Sequence, residues 1–368
     1  MKPVDLTRLP SVTAALASKA HTYDETGEFP RHSLEVVHEA GLLTATVGLD
    51  HGGPGLGAAD LTRILLALGR GDPSVALIAS MTQLVHLLQA HQPTWPESLY
   101  ERVLATDGLG LLNTLRVEPD LGSPSRGGLP ATVARRSPDG WVLNGRKRFS
   151  TGATGLDWML IYAATDEPAP RVGNFVVPAR TPGISIVPTW NQLGLRASGS
   201  HDVILADVQV RPDHFLASTA PPVASDALHL PLAAIYLGVG RAAQAQFQNF
   251  ALSRIPSNLG RPVATTERFR AAAGEISVLL TTAERLLLDA ASRFDAGLPV
   301  PDAAAARVIA NRHAVAAVTL ATRLLGNPGL SRDNPLERHF RDVQSALVHA
   351  PQEDLALQAI GKGDLMPA

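Results

Sequence analysis

The sequence predicts an α+β fold in three parts: a helical N-terminal domain, a central antiparallel β-barrel or sandwich, and a C-terminal helical bundle. Two observations set this order. Apolar residues recur at three or four positions up to about residue 107 and again from about 230 onward, whereas between about 108 and 212 the period is two. A third observation supports it: Gly and Pro stand at the ends of the long apolar runs in the last third. The expected boundaries are 1–107, 108–215 and 216–368. A chain of 368 residues with 45% hydrophobic and 18% charged residues suits two or three such units, each able to bury a core.

The first part reads as "HSLEVVHEAGLL", the loop "GLDHGGPGLG", then "AADLTRILLALGRG" and "PSVALIASMTQLVHLLQAH", each with helical spacing. In the middle, "GWVLNGRKRFS" carries a hairpin signal, because Asn144-Gly145 can occupy the positive-φ corners of a two-residue turn. "DWMLIYAAT", "NFVVPA", "GISIVPTW" and "SHDVILADVQV" follow at strand length, separated by turn residues. In the last part Ile276, Leu280, Ala283, Leu287, Ala290 and Phe294 share one helix face, ending at Gly297 with Pro299 beyond. After Pro301, with Asp302 as expected cap, Val308, Val315, Val318, Thr322 and Leu325 share another face, up to Gly326 and Pro328. Two long helices on a short connection should pack antiparallel within a bundle.

Composition removes several functions. Net charge is −2 with no long basic block, which argues against nucleic acid. The absence of cysteine excludes disulfides, thiolate nucleophiles and cysteine-ligated metal centres. "MKPVDLTRLPSVTAAL" lacks the apolar core of a signal peptide and no apolar run reaches a membrane span, so a soluble cytoplasmic protein is expected. "GVGRAA" at 238–243 matches a dinucleotide fingerprint, but it lies inside a continuous helical pattern, where small residues serve close packing. Ser200, His201 and Asp202 are adjacent, and neighbours on a strand face opposite ways, so they form no triad. His339 and His349 lack H-E-x-x-H spacing, and no metal site is expected.

Four stretches, in order and over most of the chain, resemble the acyl-CoA dehydrogenase superfamily. They are "GLDHGGPGLG" with "DPSVALIASMTQLVH"; "VEPDLGSPSRGGLPATVARRSPDGWVLNGRKRFSTGA"; "LGLRASGSHDVILADVQV"; and "SRIPSNLGRPVA … LLGNPG … NPLERHFRDV". The resemblance implies a flavoprotein with a four-helix C-terminal domain, acting as a homodimer or tetramer on a small-molecule substrate. By position it implies Thr151 as the hydroxyl at flavin N5, Phe149 over the ring, Ser150 between them, and Gly122-Ser123 at the pyrophosphate. Thr151 also suits a strand on propensity alone. Val117 replaces the family's usual threonine. Arg254, Arg323 and Asp354 fall where the remaining cofactor contacts are expected, but "RIPSNLG" and "GNPG" depart from the family pattern there. FAD is the implied cofactor, with FMN open.

Dehydrogenation of a thioester needs a carboxylate to accept the α-proton. In the family's common arrangement a glutamate stands eight residues beyond the aspartate of an Arg-Asp landmark, and from Asp342 that position is Ala350. A second known arrangement offers only Leu228 and His229 here. The histidines His349, His229 and His86 are the catalytic candidates, each equally consistent with a structural role. "VH" followed by small residues and Pro is similar to the flavin-dependent monooxygenase branch. That branch implies a two-component system in which a separate reductase supplies reduced flavin for reaction with O2. An acyl-thioester dehydrogenase with a displaced base, and a non-catalytic flavin-binding subunit, remain as alternatives.

Overall fold

The computed structural model describes residues 2–119, 129–218, 225–350 and 352–365. Five helices open the chain: α1 (Leu9–Thr26), α2 (Arg31–Glu39), α3 (Ala58–Gly71), α4 (Pro73–His91) and α5 (Glu97–Leu104). Asp72 breaks α3 from α4. Its extended backbone ends one helix, and its carboxylate caps the next by accepting from Ser74 N at 2.8 Å, with Pro73 at the first position.

Eight strands follow: β1 (Leu112–Leu115), β2 (Val133–Ser137), β3 (Gly140–Ser150), β4 (Trp158–Thr165), β5 (Val172–Pro178), β6 (Ile184–Val187), β7 (His201–Val210) and β8 (Phe215–Ala217). They form one sheet ordered β6-β7-β3-β2-β4-β5-β8, with β1 paired to β4. The expected antiparallel pairing holds for most neighbours, but β1 and β2 both run parallel to β4. Long stretches of chain separate each of these strands from β4, which is what a parallel pairing requires.

The hairpin is displaced from its expected place. β3 runs unbroken through Asn144-Gly145, and the tight turn lies at Pro138-Asp139, where Ser137 pairs with Gly140 at φ 141°. Gly145 is needed for space: a Cβ there would stand 2.4 Å from Thr132 Oγ1. Asn144 is bonded across the sheet, donating through Nδ2 to Asp207 Oδ1 and accepting from Asp207 N, both at 3.0 Å. Asp207 sits at φ 52° in a bulge of β7.

The last part contains α6 (Ser225–Ser253), α7 (Glu267–Asp295), α8 (Ala303–Leu325), α9 (Pro335–Val343) and α10 (Glu353–Leu365). The six apolar residues foreseen on α7 are all buried, as are Val308, Val318, Thr322 and Leu325 on α8. Val315 is only half-buried. Asp302 occupies the cap position of α8 without a capping bond, and its carboxylate faces Arg293 at 3.7 Å. "GVGRAA" lies within α6, and its two glycines, Gly238 and Gly240, work as packing. A Cβ on Gly238 would meet Leu66 O at 2.3 Å, and one on Gly69 would meet Ile235 O at 2.3 Å, so α3 and α6 touch backbone to backbone.

One junction ties the three parts. Arg341 on α9 grips both carboxylate oxygens of Asp24 on α1, at 2.9 and 2.6 Å, and donates to Leu193 O at 3.0 Å. Its neighbour Asp342 accepts Leu195 N at 2.7 Å. This anchors the end of α9, from which the chain turns through Gln344–Leu347 to His349. Among the described residues no helix is long and apolar enough to cross a membrane.

Candidate active site

Three segments far apart in sequence meet at a small cavity open to solvent. Helix α6 presents His229, Leu232, Ala233 and Tyr236, a single stripe at helical spacing. Helix α8 presents Arg307 and Asn311, one turn apart, and the segment after α9 presents His349 and Ala350. Arg307 and Asn311 are buried although polar, on a helix face made mostly of alanine, valine and leucine.

The contacts define the chemistry. Tyr236 Oη and His349 Nδ1 lie 2.8 Å apart, with the rings edge to face. Tyr236 is 1% exposed, and this is the one hydrogen-bond partner found for its hydroxyl among the described residues. The phenol has a single proton, and turning it away from Nδ1 would bury an unmet donor. Tyr236 therefore donates to Nδ1, and the neutral imidazole carries its proton on Nε2. Burial pushes the Tyr236 phenol well above its ordinary value, so it stays protonated. Burial also pushes His349 down to about 4, with His229 and Arg307 adding to the effect, although the residue as a whole is half-buried. Asn311 Nδ2 donates to Ala346 O at 3.0 Å. No carboxylate lines the cavity among the described residues, and Ala350 stands where one was sought.

His86 lies elsewhere. It is buried on α4, bonded through Nδ1 to Tyr100 Oη at 2.9 Å, in a ring cluster with His51 and Trp95 around Tyr100. Of the three candidate histidines the structure brings together His229 and His349 only. The residues that sequence reading missed are Tyr236, Arg307 and Asn311. A signal existed: Tyr236 is two helical turns beyond His229, and Arg307 and Asn311 interrupt an apolar face.

The end of β3 holds the expected flavin residues. Phe149 has φ 53° and is 47% exposed, its ring edge-on to Trp190 at 6.3 Å between centroids. Left-handed backbone in an aromatic residue is strained, and here it leaves the ring at the surface. Ser150 is buried, and its Oγ has no hydrogen-bond partner among the described residues. Thr151 is buried too, with Oγ1 3.0 Å from Ser200 Oγ and its carbonyl accepting from Asn113 Nδ2 at 3.0 Å. Val117 O accepts Arg148 N at 2.8 Å, which holds the "VEP" segment against this strand. Arg254, Arg323 and Asp354 are all exposed. Gly122 and Ser123 lie outside the described residues. No group of three or more His, Asp or Glu side chains is placed to hold a metal ion among the described residues.

Family models described as the acyl-CoA dehydrogenase N-terminal, middle and C-terminal domains match residues 11–91, 116–208 and 230–353. The chain is 31% identical to the putative acyl-CoA dehydrogenase YdbM of Bacillus subtilis, over 92% of this chain and 90% of that protein. It is 30% identical to the amino sugar nitrososynthase DnmZ of Streptomyces peucetius, over 90% of this chain and 85% of that one. A crystal structure of KijD3 in complex with FMN and an amino-keto dTDP-sugar superposes with a TM-score of 0.76 at 26% identity, covering 99% of this chain and 95% of KijD3.

Proposed function

The chain belongs to the acyl-CoA dehydrogenase family, and from that premise we propose a flavin-dependent monooxygenase that uses reduced flavin and O2 on a small-molecule substrate. The observation that carries this reading is the cavity beside Ala350, whose described lining has hydrogen-bond donors and no acid. Removing a proton from carbon beside a thioester carbonyl needs a base of suitable pKa. Tyr236 keeps its proton, and His349 has its proton on the nitrogen that Tyr236 does not occupy. Donors of this kind stabilise negative charge developing on oxygen rather than accept a proton from carbon.

The β3 end fits a flavin. Phe149 offers an exposed aromatic face, Ser150 Oγ is a buried hydroxyl in want of a partner, and Thr151 is held in place by Ser200. These three would hold the ring, with Gly122, Ser123, Arg254, Arg323 and Asp354 assigned to the rest of the cofactor by family position. Bound there, reduced flavin supplies the electrons for oxygen activation. His349 presents the Nε2 proton to the reacting group, Tyr236 sets that tautomer, and buried Arg307 adds positive potential. FMN is favoured by the KijD3 complex, and FAD by the wider family pattern. A separate reductase and a homo-oligomer complete the proposal.

Stopped-flow mixing of reduced holoenzyme with O2 tests it. Return of the oxidised absorbance in two or more resolved phases, altered in His349→Ala at unchanged flavin content, is the expected result. Single-phase return with stoichiometric peroxide overturns it. The 31% identity to a putative acyl-CoA dehydrogenase favours the second reading, desaturation with a displaced base. Anaerobic bleaching of the oxidised flavin by acyl-CoA thioesters would establish that reading instead.

A further inference from the structure

The buried amide of Asn311 has one end occupied and one end open. Its Nδ2 donates to Ala346 O at 3.0 Å, and a carbonyl oxygen accepts only from a donor, so the amide cannot be flipped. Its Oδ1 is therefore an acceptor, and it has no hydrogen-bond partner among the described residues, although Asn311 is only 7% exposed. Buried side-chain acceptors are seldom left without a donor, because the lost hydration is not recovered. This one belongs to a residue that lines the His349 cavity.

The charge around it restricts what could supply the donor. Arg307 sits one turn before Asn311 on α8 and always carries a positive charge, and two histidines line the same walls. An ammonium has protons to give but no lone pair with which to accept from His349 Nε2. A carboxylate has lone pairs but no proton to offer Asn311 Oδ1. A group with both a proton to give and lone pairs to accept satisfies both walls: it donates to Asn311 Oδ1 and accepts from His349 Nε2.

We propose that Asn311 is a specificity-determining residue that receives a neutral O–H or N–H group of the substrate, a hydroxyl or an uncharged amine or amide, next to His349. The proposal rests on the cavity being the substrate site, but not on whether the reaction is oxygenation or desaturation. Binding alone tests it, without turnover.

The probes are a size-matched set, each with four carbons: 1-butanol, butyramide, methyl propyl ether, butyrate and butylammonium. Binding to the flavin-loaded protein is followed by saturation-transfer NMR, with the shift of the flavin absorbance as second readout. The expected result is that the alcohol and the amide bind at least about tenfold tighter than the ether, since leaving a buried acceptor unmet is worth about that factor. Asn311→Leu should erase this preference. Comparison within the wild-type protein needs no variant, so a poorly folded Asn311→Leu leaves the test standing. Equal binding of alcohol and ether, preference for butyrate or butylammonium, or no binding by any probe overturns the proposal. So does a crystal structure in which an ordered water alone joins Oδ1 to protein groups. If the donor preference holds while stopped-flow shows single-phase reoxidation, the oxygenation reading fails and this inference survives.

Discussion

Tyr236 Oη lies 2.8 Å from His349 Nδ1, and this bond joins a residue on α6 to one more than a hundred positions later. It decides which ring nitrogen of His349 faces the cavity with a proton. Tyr236→Phe removes the hydroxyl that donates to Nδ1 and frees the tautomer. The expected loss of stability is about 1 kcal/mol. Nitrogen-15 NMR of histidine-labelled protein should show His349 moving from a single Nε2–H form to a mixture, at unchanged flavin content. An unchanged spectrum would show that Tyr236 does not set the tautomer.

His86 makes a parallel bond to Tyr100, and burial pushes its pKa down to about 4. The sign follows from proton counting. Between about pH 6.5 and 4 the unfolded chain binds a proton at His86 that the folded protein refuses, so stability falls as pH falls through that window. His349 and His339, held near 4 and 3, act in the same direction. Asp72 and Asp342, raised to about 6 and 7 chiefly by burial, act oppositely. The His86 share is read as a difference: a His86→Gln variant should lose less stability than wild type between pH 6.5 and 4. Parallel melting curves across this range would contradict it.

Gly238 allows α6 to rest on α3 at backbone distance. Gly238→Ala forces a methyl to within 2.3 Å of Leu66 O, which backbone cannot yield without shifting a helix. A loss of about 1–3 kcal/mol is expected, visible as a lower urea midpoint. Gly274→Ala is the control, since a Cβ there meets nothing within 4 Å, and a helical Gly→Ala exchange should stabilise slightly.

Gly145 separates two explanations of "NG" in a strand. If the glycine were required for a turn, no change at Thr132 could relieve its substitution. The structure places Thr132 Oγ1 2.4 Å from a Cβ at this position. Gly145→Ala should therefore destabilise by about 1–3 kcal/mol. Adding Thr132→Ala removes Oγ1 and Cγ2 and leaves only the Thr132 Cβ, 2.8 Å away, so it relieves part of the clash, but it also removes a donor to buried Glu118. Coupling between the two substitutions in a double-mutant cycle is the expected signature, and strict additivity would count against it.

The order of helices and strands was determined by local sequence alone, because periodicity needs no knowledge of distant neighbours. Ile276, Leu280 and Leu287 share a face wherever α7 happens to lie, and Gly297 ends that helix by its own backbone freedom, at φ 68°. The family stretches, and the vacancy for an acid at Ala350, were legible in the same way. What local pattern could not decide was which partner claims a residue. Asn144-Gly145 satisfies a turn and a bulged strand equally well, and only the arrival of Thr132 and Asp207 from other strands selected the second. Nor could it sort the histidines, since His86 and His349 each sit beside apolar residues and each is bonded to a tyrosine. The tertiary fold sent one into the N-terminal helices. It placed the other opposite His229, Arg307 and Asn311, because a site is made where separate segments converge, and convergence is a property of packing rather than of spacing.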